Sequence, residues 1–168
     1  MSERKTIRKV FLAWDFEKEE RWLNEMAEAG WALDGVGFCT YHFVSCDPGA
    51  CTVRLEMHEV DPDYLAFMEE TGAEYVGRVM QWVYFRRAAA LGSFDLFSDL
   101  DSRIAHLGRI GSCLGILGAA NLAIGMANTV GSPHLSWINL LCATLLMYGL
   151  GRIHGKLETL REKRRFVE

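Results

Sequence analysis

The side chains that could do chemistry are few and widely spaced. His42, Arg54, Glu56 and His58 form the main cluster of metal-ligand and acid–base types. A turn at Asp47-Pro48-Gly49 is expected to pair Tyr41 with Leu55 and Phe43 with Val53. That register places Cys39, Tyr41 and Phe43 on an apolar face with Val53, Leu55 and Met57, and the four polar residues on the other. A guanidinium beside an imidazole discourages a metal cation, so the polar face reads as a surface for a partner protein. The five cysteines, Cys39, Cys46, Cys51, Cys113 and Cys142, are odd in number and contain no C-x-x-C pair. Cys46 and Cys51 flank the turn and read as thiols of a reducing compartment. No phosphate-binding glycine loop, H-E-x-x-H or G-x-S-x-G occurs. The sequence therefore points to no catalytic residue, cofactor or metal, and the expected class is a non-enzyme.

The elements that must position these residues come as a repeat. Residues 15–43 answer to residues 57–85 at an offset of 42. Trp22-Leu23 matches Tyr64-Leu65, Met26 matches Met68, Gly30 matches Gly72, Gly35 matches Gly77 and Phe43 matches Phe85. Each copy reads as strand, helix, strand, strand. Ile7–Trp14 alternates as a strand, and Asp15 stands where an N-cap would. Asp61-Pro62 is a strong start signal for the second helix. Two such units predict an α+β domain over residues 1–90: a ferredoxin-like tandem βαββ repeat with one six-stranded, mostly antiparallel sheet and two helices.

The charge distribution divides the chain further. Residues 1–109 hold 12 Lys/Arg and 19 Asp/Glu, residues 110–151 hold none, and residues 152–168 hold 6 and 3. An acidic main body argues against direct nucleic-acid binding. A spanning helix needs about 20 apolar residues, so the charge-free stretch predicts a two-helix transmembrane hairpin over 110–153, turning at Gly131–His134. Lys and Arg flank both outer ends and are absent from the turn, which predicts a two-pass protein of the cytoplasmic membrane with both termini in the cytoplasm. The N-terminus leads into no apolar segment of a signal peptide. Residues 91–109 read as an amphipathic juxtamembrane linker helix, carrying Phe97, Leu100, Ile104 and Leu107 on one stripe. Residues 154–168 read as a basic tail, with Lys156, Arg161, Lys163, Arg164 and Arg165 facing lipid. Gly111, Gly115 and Gly118 sit at helical spacing for close packing of the hairpin or of a homo-oligomer, and Asn121 is a mid-span amide suited to an interhelical bond.

Several segments resemble one bacterial family. Asp15–Ala27 with Gly30-Trp31, then Trp82-Val83-Tyr84-Phe85-Arg86, then Asp95-Leu96-Phe97-Ser98-Asp99, are similar to the domain of unknown function 2812. The resemblance implies a membrane-anchored protein encoded beside PadR-type transcriptional regulators. The resulting expectation is a membrane-tethered regulatory module that binds such a regulator. Two alternatives stand beside it: an accessory subunit of a membrane transport complex, docked through the glycine-rich span, and a small-molecule sensor.

Overall fold

The computed structural model describes residues 3–97 and 99–167. It divides into two compact units, Met1–Ser98 and Asp99–Glu168. The first holds β1 (Arg4–Arg8), α1 (Phe16–Glu28), β2 (Trp31–Gly37), β3 (Thr40–Ser45), β4 (Cys51–Met57), α2 (Pro62–Glu70), β5 (Ala73–Val79) and β6 (Trp82–Ala88). The second holds α3 (Leu100–Gly131) and α4 (Pro133–Val167). The layout is α+β followed by a helical hairpin, and each half of the first unit is a βαββ copy.

The expected single sheet is instead two antiparallel three-stranded sheets, ordered β1-β3-β2 and β4-β6-β5. In each, the helix joins two parallel outer strands with the third strand threaded between them, a split βαβ unit. The expected β3–β4 hairpin does not form. Both edges of β3 are already used, by β1 and β2, and β4 pairs with β6. The segment around Pro48 is a connector between sheets. The residues expected on the apolar face do turn inward: Tyr41, Phe43, Val53, Leu55 and Met57 are buried, and Cys39 is half-buried.

The first strand also ends sooner than its alternation suggested. β1 stops at Arg8, paired with Thr40, the first residue of β3. Lys9 N–H still reaches Cys39 C=O, and there the partner strand runs out into its own turn. Val10 and Leu12 are consequently exposed, at 69% and 48%, and only Trp14 is buried. Asp15 makes no cap bond and pairs with Lys18 at 2.9 Å instead. Asp61 does cap α2, accepting from Tyr64 N–H at 2.8 Å with Pro62 next in line. Gly30 and Gly72 end the two helices at positive φ, as the repeat required.

Core formation follows the amphipathic helices. α1 buries Phe16, Glu19, Leu23 and Ala27, and the edge of Trp22 meets Tyr41 and Phe43 at 5.0 and 5.8 Å. α2 turns Met68 onto Val83 and Phe85, with Tyr64 and Leu65 beside it. Phe94 and Leu96 fold back onto this same cluster, so the segment expected to be the start of a linker helix belongs to the core of the first unit. The helix starts at Leu100, with Asp99 and Ser102 forming a capping box. It then runs without interruption into the apolar stretch. The expected four-residue turn shrinks to Ser132, because Pro133 already occupies the first position of α4.

Candidate functional site

The four polar residues expected on one face are brought together only in part. His42 lies on the first sheet, its Nδ1 2.9 Å from Thr6 Oγ1, opposite Gly35 on β2. Arg54, Glu56 and the position after β4, His58, belong to the other sheet. There, Glu56 and His58, two positions apart, both meet Tyr64 of α2. Glu56 is 5% exposed and accepts a hydrogen bond from Tyr64 Oη, while His58 stacks on the Tyr64 ring at 4.0 Å. Arg54 reaches Glu20 on α1 at 3.5 Å. His42 and Arg54 are not cross-strand neighbours, for the same reason that β3 and β4 do not pair. Among the described residues, no group of three or more His, Cys, Asp and Glu could hold a metal ion. All five cysteines are free and half-buried.

The structure instead concentrates its polar chemistry on the helix between the two sheets. Glu19 is buried, and its Oε1 accepts from Tyr41 Oη at 2.7 Å and Tyr84 Oη at 2.6 Å. Tyr41 stands on the central strand of one sheet and Tyr84 on that of the other. Burial pushes the Glu19 carboxyl above the ordinary carboxylate range, although both hydroxyl donors oppose the shift. Burial and the neighbouring carboxylate push both tyrosines up as well, so they remain O–H donors. One turn on, Asn24 behaves like a strand residue. Its amide accepts from Val53 N–H at 2.9 Å and donates to Val53 C=O at 3.0 Å. Glu20 Oε2 accepts from Leu55 N–H at 3.3 Å. Burial raises the Glu20 carboxyl too, and the Arg54 charge works against that. These bonds close the side of β4 that β6 leaves open. The arrangement clamps the two repeats through one helix. In the sequence, Glu19 looked only like an acidic residue of a first helical turn, and Asn24 carried no signal. Their partners lie 22, 65 and 29 residues away.

In the second unit, four glycines of α3 face α4. A Cβ on Gly111 would meet Ile153 and Leu150 at 3.6 and 3.7 Å, and one on Gly115 would meet Leu150 at 3.8 Å. Gly118 sits against Met147 and Leu146. A Cβ on Gly118 would stand 2.8 Å from the end of the flexible Met147 side chain, and one on Gly125, a position outside the expected stripe, 3.0 Å from the branched end of Leu140. The interhelical polar bond there comes from Ser136, whose buried Oγ donates to Gly125 C=O at 2.7 Å. Asn121 does not take that role; it donates to Leu117 C=O of its own helix. Both helices are long and apolar enough to cross a membrane. Their outward surfaces expose Ile116, Met126, Val130, Trp137, Ile138 and Leu141. The basic tail is helical. Lys156 is half-buried, Arg161, Lys163, Arg164 and Arg165 are exposed, and Arg164 pairs with Asp101 of α3 at 2.7 Å.

No curated protein and no solved structure matches the chain. A family model described as a protein of unknown function (DUF2812) matches residues 15–119, more than half of the 168, and so runs from α1 through the second repeat into α3. The chain belongs to the DUF2812 family.

Proposed function

We propose that this protein is a membrane-anchored interaction module. The hairpin crosses the cytoplasmic membrane with both ends in the cytoplasm, and the two-repeat unit holds a partner protein at the membrane surface. The observation that carries this reading is the hairpin itself. Gly111, Gly115, Gly118 and Gly125 are spent on internal packing, its outer faces are apolar and exposed, and its cations gather beyond the ends of the charge-free stretch. The partner suggested by the family resemblance is a PadR-type transcriptional regulator. Gly111, Gly115 and Gly118 lie against α4, so a transport subunit or a second copy of this chain would dock through other faces of the hairpin.

Two measurements test the reading. Fluorescent-protein fusions at either terminus should both fluoresce from the membrane fraction of the host. A crosslinked pull-down from those membranes should enrich a regulator. A dark fusion at one end overturns the topology, and recovery of the bait alone overturns the interaction role.

A further inference from the structure

Among the described residues, the first unit has four sheet edges, and three are occupied. β4 is shut by Asn24 and Glu20. β2 and β5 lie against each other: a Cβ on Gly77 would touch Val36, and Arg86 Nη1 donates to Leu33 C=O at 2.8 Å. β1 has β3 on one side only. Its hydrogen-bond parity can be read directly. Ser45 N–H donates to Glu3 C=O, and Lys9 N–H donates to Cys39 C=O. In an antiparallel pair the direction alternates, so positions 3, 5, 7 and 9 turn their backbone groups toward β3. Arg4, Thr6 and Arg8 turn theirs outward.

That outward edge is cationic, although the residues up to 109 carry a net negative charge. Arg4 and Arg8 are exposed on the same face of β1. Lys5 and Lys9 are exposed too, and held over aromatic rings: Lys5 over Trp31 at 5.2 Å, Lys9 over Trp22 at 4.4 Å. Cations on an edge strand deter pairing with a second copy, because like charges would oppose one another. The same charges favour an acidic strand. We infer that β1 is the docking edge for an extended acidic segment of the partner protein, which adds beside Arg4, Thr6 and Arg8 as a further strand. This rests on the interaction-module reading and names the chemistry of the contact.

The test uses the full chain in neutral detergent micelles. The probes are a capped fluorescent peptide alternating Glu with Val and its Lys counterpart, followed by anisotropy. The acidic peptide should bind about ten-fold or more tightly than the basic one, and salt should weaken it. Thr6→Pro removes one outward N–H and no backbone bond to β3, at the cost of the Thr6 Oγ1 contact with His42, and should weaken acidic-peptide binding about ten-fold. Arg4→Glu with Arg8→Glu should invert the preference, which serves as the test if the proline variant fails to fold by circular dichroism. Equal binding of the two peptides, no binding of either, or an unchanged preference after charge reversal overturns the proposal. So does undiminished binding by a folded Thr6→Pro chain. Crosslinking in host membranes separates the two levels. If the wild type and Thr6→Pro capture the same protein in equal yield, the edge is not the contact and the module reading survives. If neither captures a protein, the module reading itself fails.

Discussion

Glu19 shows what a single buried carboxylate does to this fold. Its two tyrosine donors lie on the central strands of two different sheets, so one oxygen ties both repeats to α1. Glu19→Ala leaves two buried hydroxyls without their acceptor and should cost about 1–3 kcal/mol, read as a shift in denaturant midpoint. The pH dependence has a definite sign. The folded pKa lies above the unfolded one, so the stabilisation is complete below the ordinary carboxylate range and is lost as pH rises toward the folded value. Glu20 is shifted the same way. Glu19→Gln should therefore flatten, without abolishing, the fall in thermal midpoint between mildly acid and neutral pH. An unchanged slope would remove Glu19 from that role. The glycines of the hairpin differ from one another in the same quantitative way. Gly111→Ala makes only ordinary contacts and should gain up to about 1 kcal/mol of helix stability. Gly125→Leu must displace Leu140 and should cost about 1–3 kcal/mol. Thermal melts followed by circular dichroism in micelles distinguish the pair.

At the scale of the element, α1 does more than cover a sheet face. Asn24 gives β4 two bonds that a neighbouring strand would otherwise supply. Asn24→Ala should cost about 1–3 kcal/mol and expose a pairing edge, and light scattering should then show association that the wild type lacks. How far elements were legible in the sequence depended on how local their causes are. The helix stops at Gly30 and Gly72 and the Asp61-Pro62 start follow from neighbours within a turn, and they stand where the residues placed them. Strand pairing does not follow from neighbours. Tyr41, Phe43, Val53 and Leu55 announced which sides are buried, but alternation alone cannot say which strand lies beside which. β1 illustrates the limit: Val10, Leu12 and Trp14 alternate well, yet the strand ends at Arg8 because β3 begins at Thr40. The Glu19 clamp was invisible for a related reason, since no local rule links a first-turn glutamate to tyrosines in distant strands.

At the scale of the molecule, the two hairpin helices contain 32 and 35 residues. At 1.5 Å per residue, each is about 50 Å long, against a hydrocarbon core of about 30 Å. The surplus lies at the charged ends, where Asp101 and Arg164 still pair across the helices. An exposed ion pair of this kind is worth at most about 1 kcal/mol, so apolar packing such as that of Ile110, Ile153 and Leu157 holds the base together. Leu122→Lys discriminates between settings for the outer surface. On a hairpin in water, a lysine at this exposed site would be nearly neutral. In a bilayer centre it costs roughly 2.5–3.5 kcal/mol. Membrane fractionation should therefore show a marked loss of the inserted protein.

The uneven treatment of the two repeats has one more consequence. Because α1 seals β4 while β1 stays open, strand addition has a valency of one. A chain with two open edges can grow end to end into fibres. If β1 takes the proposed strand, growth stops at that first partner, and the stoichiometry of the complex is set by geometry before affinity enters.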